Sequence, residues 1–352
     1  MRPLYACASR PQLTDSGNLG LWHDKYYDRW ERDGADIATA APKKVEWIQS
    51  VVDHSRPRVS GGRSDLADES VMRLLRMVKA QGGRFWVFKT VSGFVTGLGQ
   101  SHPIENGFAW QHLLGLPYIP GSSLKGAVKA WGQWSGQIED EAERALTRII
   151  WFDALPLGVP ALFGDVMTPH YSPYYAIGSP PADDCAPVPI PYLTVAPGQS
   201  FVIAACGDAR DLDSAANYLT LTLKWMGVGA KTSSAYGRLD RNLAREEELR
   251  SRVESERVLR EKARRQAQLP WWEAEMEEDG YHRQPDVNHF MTAMAEKWIP
   301  RMENEVVEPA AQKAIARLLK QWYLEHRPTE WERPNKKNAE KRRRIEKVLQ
   351  QE

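Results

Sequence analysis

Two kinds of residue in this 352-residue chain have the types and spacing to do chemistry. The first kind carries protons. His112, Asp153, Asp165 and His170 are candidate acids and bases, and Asp165 and His170 share the segment GDVMTPHY. A metal-free ribonuclease needs a general base and a general acid converging on a 2′-hydroxyl and a leaving oxygen, roles that His112 and His170 fill in principle. His112, however, lies in the apolar run Trp-Gln-His-Leu-Leu just ahead of a turn, where a hydrogen-bonded structural histidine is the commoner finding. The sequence therefore names no catalytic residue, and it calls for no metal and no cofactor.

The second kind is lysine beside glycine. In PYIPGSSLKGAVKAW (Pro117–Trp131) a sharp turn opens into a helix with Leu124, Ala127, Val128 and Trp131 on one face and Lys125 and Lys129 on the other. Ser122 or Ser123 is the natural N-cap. Lys125 in the first turn opposes the helix dipole at a cost of about 0.3–1 kcal/mol, and the i,i+4 lysine pair adds about 0.2–0.5 kcal/mol of repulsion. A phosphate at the helix start would reverse both signs, because free N–H groups point there. A surface helix that tolerates its lysines is the plainer alternative. The stretch is not a nucleotide P-loop, since its lysine precedes the second glycine and no Ser or Thr follows to hold magnesium. The other element, GVGAKTSSAYGR (Gly227–Arg238), surrounds one lysine and a Thr-Ser-Ser run with three glycines. Lys231, Thr232, Ser233 and Arg238 suit phosphates or 2′-hydroxyls, and a flexible turn is the alternative.

Such loops need a scaffold. Phe85–Ser92 is rich in β-branched and aromatic residues and reads as a strand. A glycine-marked loop, TGLGQ, precedes the PGSSLKG turn and a helix to about Trp134. Arg148–Leu155 is apolar on both alternations, as a central strand is. Pro191–Gly207 reads as two strands joined at Pro197-Gly198, a pair that suits a type II turn. Asp213–Gly227 reads as a helix and Ala235–Asp240 as the last strand. The order fits β-α-β-β-α-β, the ferredoxin-like or RRM-like arrangement, within an α+β fold.

Residues 1–83 read as a lead-in packed on that core, with an aromatic-rich segment at Leu19–Trp30 and a helix at Leu66–Ala80. Residues 84–242 form the core, and 243–352 a charged helical region. There Arg245–Arg265 mixes signs along a solvated helix, Pro270-Trp271-Trp272 breaks it, and an amphipathic helix starts at Pro309. Lys336–Val348 carries seven basic and two acidic residues, and its KRRR run reads as solvated helix before RNA contact. DVMTPHYSPYY (Asp165–Tyr175) reads as a packed loop with buried tyrosines before a base-stacking surface. Gly178–Pro191 is a proline-rich surface loop whose Asp183-Asp184 pair argues against phosphate.

Composition narrows the function. Apolar residues make up 42% of the chain and aromatics 10%, enough for a real core. Net charge is +1, with 13 basic and 11 acidic residues in 1–83, 11 and 13 in 84–242, and 23 and 22 in 243–352. Any nucleic-acid contact must rest on a local cluster. Cys7, Cys185 and Cys206 are scattered, with no CxxC, so neither a disulfide framework nor a zinc site is indicated. No apolar run approaches the ~18 residues of a membrane span, and the proline-broken N-terminus is no secretion signal. A cytoplasmic protein without membrane contact is expected.

The two glycine-and-lysine elements are more specific together than apart. PYIPGSSLKG and GVGAKTSSAYGR, with GLWHDKYYDRW, FDALP (Phe152–Pro156), DVMTPHYSPYY and YLTV (Tyr192–Val195), resemble in order the RAMP superfamily of CRISPR proteins. Within it they are most similar to the sixth RAMP subunit of Cmr-type (type III-B) effector complexes. The likeness runs from about Pro3 to Leu239. It implies a non-catalytic subunit with an RRM-like RAMP core that sits toward the crRNA 3′ end, contacts neighbouring RAMP subunits and helps hold the guide for RNA targeting. In that family the glycine-rich loop after the last core helix contacts RNA, which implies contacts at Gly227, Gly229, Lys231 and Gly237. The PGSSLKG element maps onto Gly121, Ser122, Ser123, Lys125 and Gly126. Ala235 departs from the pattern where relatives often have glycine, and the helical tail inherits no role.

The expected RNA-binding set is therefore Gly121, Ser122, Ser123, Lys125, Gly126, Lys129, Gly227, Gly229, Lys231, Thr232, Ser233, Gly237 and Arg238. The expected partners are crRNA, other Cmr-type RAMP subunits and, through the assembled complex, target RNA. Two rival readings stand beside this one: a RAMP-type RNA-processing endoribonuclease, and a purely protein-binding scaffold whose basic loops face partner subunits.

Overall fold

A run that is apolar on both alternations must be covered on both faces, and strand β1 (Arg84–Thr90) is: Trp86, Val87 and Phe88 are all buried. The computed structural model describes residues 13–14, 17–33, 36–56, 63–136, 146–180, 187–282 and 287–350. Cys7, Cys185 and the Asp183-Asp184 pair lie outside them. β1 pairs antiparallel with β5 (Ser200–Cys206), Phe88 opposite Phe201, and on its other edge with β6 (Leu239–Arg241). Strand β2, in two short pieces at Ile150–Trp151 and Leu155–Pro156, pairs antiparallel with β5. The order β6-β1-β5-β2, with helix α4 (Gly121–Ser135) after β1 and α5 (Ala209–Leu221) after β5, is the ferredoxin-like arrangement.

The core explains why these elements exist. Leu124 and Val128 of α4, with Leu212, Ala215 and Leu219 of α5, share one hydrophobic cluster with Trp86, Phe88, Phe201 and Ile203 of the sheet. Val87 and Val202 point the other way. They meet Val71 and Leu75 of α3 (Arg63–Ala80) and Leu249 and Val253 of α6 (Leu243–Gln268). Each such side chain contributes about 1.5–3 kcal/mol on burial. Near the start of α6, Glu246 is buried and accepts bonds from Arg241 Nη2 at 2.9 Å, Arg250 Nη2 at 2.8 Å and the Val87 N–H at 3.3 Å. Burial works to raise its carboxyl, but the two guanidiniums and the N–H win and hold it below the ordinary glutamate value.

Pro191–Gly207 does contain two strands around Pro197-Gly198, with Gly198 at φ +86°. They serve different sheets, because β4 (Ile190–Val195) pairs antiparallel with β3 (Leu162–Met167) in a separate hairpin. In the lead-in, α1 (Leu19–Lys25) is capped by Asn18, and α2 (Ala41–Ser55) buries Trp47, Ile48, Val51 and Val52. The buried His23 ring stacks on His102 at 4.1 Å. Desolvation lowers the affinity of both imidazoles for protons and pushes His102 down to about 4.

Residues 254–352 form a second compact unit, whose boundary falls within α6. Its core unites Met276, Phe290, Trp298, Leu319, Trp322 and Ile345. The basic run at its end is largely committed. Arg342 bonds Glu346 at 3.0 Å and the Trp331 carbonyl at 2.9 Å, and Arg344 bonds Glu303 at 2.8 Å. Among the described residues no helix is long and apolar enough to cross a membrane.

Candidate nucleic-acid interface

Helix α4 does not begin on a serine. Pro120 is its N-cap, and neither Ser122 nor Ser123, both exposed, makes a capping bond. The Gly121 N–H instead donates to Asp153 Oδ1 at 2.8 Å. A carboxylate of the protein's own thus occupies the helix start that could have taken a phosphate, and it answers the positive end of the dipole. Gly121 is buried so close to the Trp151 carbonyl that no Cβ fits. Lys125 also turns away from any ligand. Its Nζ donates to the Thr147 carbonyl at 2.7 Å and the Ile149 carbonyl at 3.3 Å, tying α4 to the segment that enters β2. Lys129 is exposed on the next turn.

The glycine loop closes largely on protein. Gly227 N–H donates to the Thr222 carbonyl at 2.7 Å, Val228 N–H to Gly237 at 3.0 Å, and Gly237 N–H to Gly93 at 2.8 Å. Gly229 and Gly237 have φ of +90° and +72°, and a Cβ on either would run into a backbone carbonyl, of Val95 and Val228 respectively. The close approach that the sequence suggested for a ligand is here an approach of backbone to backbone. Ala235 adopts φ +65°, the left-handed region where glycine is at home. Its methyl is a conformational cost, not an obstruction. Lys231, at φ +60°, holds its ammonium 4.8 Å above the Tyr192 ring.

Beneath Lys231 runs a polar chain. Tyr192 donates its phenol proton to Tyr236 Oη at 3.0 Å, and Tyr236 donates to Asp165 Oδ2. Burial, then the bonds to Asp165 and Tyr192, raise the Tyr236 phenol far above its ordinary value. Asp165 also accepts the Val166 N–H at 2.8 Å. Of the candidate proton carriers, Asp153 caps a helix and Asp165 anchors a tyrosine. His112 is exposed, not packed, because it stands in the turn between the short strands Trp110–Gln111 and Leu116–Pro117. His170 is exposed too. The tyrosines of Asp165–Tyr175 are likewise out in solvent: Tyr171, Tyr174 and Tyr175 flank or ride the short helix Ser172–Ile177, outside every core cluster.

The two glycine elements nevertheless meet. Ser123, Gly126, Ala127 and Ala130 of α4 face Gly227, Val228, Gly229, Ala230 and Thr232 across a groove of about 540 Å³. It is also lined by Thr96, Gly97, Leu98 and Gly99, from the glycine-marked loop that the sequence showed without assigning it a role. Most of the lining residues are small, and a Cβ on Gly126 would meet no atom within 4 Å outside its own helix backbone and chain neighbours. Met226 and Thr232 connect this groove to a second cleft of about 520 Å³, which adds Ser233, Arg238, Trp131, Trp134 and Trp225. Among the described residues no Asp or Glu lines either space. Of the expected set, Ser123, Gly126, Gly227, Gly229, Thr232, Ser233 and Arg238 share this surface, whereas Gly121, Ser122, Lys125, Lys129, Lys231 and Gly237 do not line it.

Comparison with known proteins agrees with the sequence reading. The sequence model of the RAMP superfamily matches residues 87–166. The CRISPR system Cmr subunit Cmr6 of Pyrococcus furiosus is 29% identical over 224 residues, covering 43% of this chain and 66% of that protein. The chain thus spans slightly under two thirds of that relative. Among solved structures, the cryo-EM structure of the type III-B Cmr-beta bound to cognate target RNA contains a chain 20% identical to this one. It matches with a TM-score of 0.45 over 57% of this chain and 72% of that one. The crystal structure of Cmr6 from Pyrococcus furiosus is 29% identical, with a TM-score of 0.32 over 46% of this chain and 97% of that one. The kinship rests on the sequence matches.

Proposed function

With the RAMP-superfamily match and the likeness to Cmr6 as premise, we propose that this chain is a non-catalytic subunit of a type III-B CRISPR ribonucleoprotein. It binds guide crRNA toward its 3′ end and caps the backbone of an RNA-targeting antiviral complex in the cytoplasm. Its neighbours are other Cmr-type RAMP subunits, and it meets target RNA through the assembled complex. One observation carries the reading: two elements about a hundred residues apart converge on one groove lined mostly by small residues, with hydroxyls at Ser123 and Thr232 and no carboxylate among the described residues of its lining. Such a surface lets a ribose-phosphate strand approach backbone and hydroxyl groups without reading its sequence.

The test is a pair of added charges. Ser123→Glu with Thr232→Glu is expected to weaken crRNA binding at least about tenfold by charge repulsion, with the chain still folded. Wild-type affinity in that variant would remove RNA from the groove. The endoribonuclease rival requires a discrete product from repeat RNA that His112→Ala abolishes. The scaffold rival requires that RNA in the assembled complex form no photo-crosslinks near Thr232 or Ser123.

A further inference from the structure

Beside the groove, the second cleft has a chemistry that phosphate contact does not use. Trp134 is 76% exposed and Trp225 58% exposed, both on the cleft wall. Indole faces are seldom left so open on a folded surface without a partner. Arg238, the last residue of the glycine element, lines the same cleft. Its Nη1 is buried with no hydrogen-bond partner, and Nε1 of Trp131 is in the same state. Lys224 holds its ammonium 5.4 Å from the Trp225 ring. The cleft therefore offers flat aromatic faces and the Arg238 guanidinium, with no acid among the described residues of its lining.

We propose that this cleft takes one unpaired nucleobase of a single-stranded RNA, stacked on Trp134 or Trp225, with the adjoining phosphate or base edge on the Arg238 guanidinium. The inference rests on the RNA-binding reading of the adjoining groove and deepens it, from a strand held by its backbone to a strand with one base turned into a pocket. Four features support it. The cleft is continuous with the groove through Met226 and Thr232. Its volume of about 520 Å³ is ample for a base, which falls among sites of roughly 300–1,000 Å³. Stacking on indole tolerates every base, as a guide of variable sequence demands. Arg238, half-buried on the cleft wall with Nη1 unpaired, carries a guanidinium for which a phosphate or base edge supplies acceptors.

The experiment compares two strands of equal charge: a single-stranded RNA and a strand of the same length with abasic sugars. The full chain is expected to prefer the base-bearing strand by roughly tenfold. In Trp134→Ala with Trp225→Ala that preference is expected to fall to near one. Trp271→Ala, exposed in the C-terminal unit, keeps it. Arg238→Gln is expected to lower the slope of log affinity against log salt by about one. If wild type binds RNA with no preference, or the double variant keeps the preference, stacking is wrong while the groove reading stands. If wild type binds neither strand, both fall. If the double variant keeps its preference but no longer joins partner subunits, the cleft is a protein-docking surface and the proposal is overturned.

Discussion

At the scale of single residues, the glycines of the loop serve the protein's own packing. Gly229 and Gly237 are required because their backbones press against the carbonyls of Val95 and Val228. Gly237→Ala should destabilise the chain by about 2 kcal/mol or more, since it meets both a positive φ and a carbonyl. Ala235→Gly should do the opposite. Relief of about 1–2 kcal/mol of left-handed strain exceeds the roughly 0.5–1 kcal/mol lost to a freer unfolded chain. Thermal unfolding of the two variants should therefore move in opposite directions. The lysines teach the same lesson. A sequence places Lys125 on the helix surface but cannot show that two carbonyls of the Thr147–Ile149 segment wait for it.

At the scale of elements, patterning did well where burial is one-sided or complete. Phe85–Ser92 corresponds to β1, and the apolar i, i+4 spacing of Leu124 and Val128 to the buried stripe of α4. It failed where the signal is thin. β3 buries only Leu162 among its six residues, and its pairing with β4 is a long-range event that no local period announces. The expected last strand, Ala235–Asp240, begins only at Leu239, because Lys231 and Ala235 spend the preceding stretch in left-handed turns. Packing between elements also sets a pH dependence. His23 and His102 bind protons less readily folded than unfolded. The unfolded chain therefore takes up protons first, and stability should fall as pH drops from about 6.5 toward about 4. Each histidine contributes a slope of up to ~1.4 kcal/mol per pH unit, and His102→Gln should flatten it. Glu246 acts lower. Its depressed carboxyl contributes stability above the usual glutamate value, lost as pH falls through its folded value, so Glu246→Gln should reduce the loss below about pH 4.5. Urea unfolding at a series of pH values separates the two windows.

At the scale of the molecule, the near-zero net charge was the most useful number in the sequence, because it confined any RNA contact to a patch. The candidate patch is not where basic residues are densest. Arg342 and Arg344 are paired inside the C-terminal unit, and burial lowers the Lys341 ammonium. Charge reversal at the exposed Arg343 is expected to change the salt dependence of crRNA binding by less than one phosphate contact, as filter binding at several salt concentrations would show. That contrast between charge density and charge availability is what a one-dimensional reading cannot see, since it depends on which carboxylates fold in beside the arginines.

Gly126 has a practical corollary. In the second turn of α4 it forgoes about 1 kcal/mol that alanine would add to the helix, and neighbouring atoms leave the space above it open. Engineers selecting for heat resistance would fill that space early, and with progressively bulkier residues they would harvest a hardier chain whose groove had silted up. With RNA held in the groove as proposed, shelf life and RNA retention would then part company, an easily overlooked hazard for anyone optimising the chain by melting temperature alone.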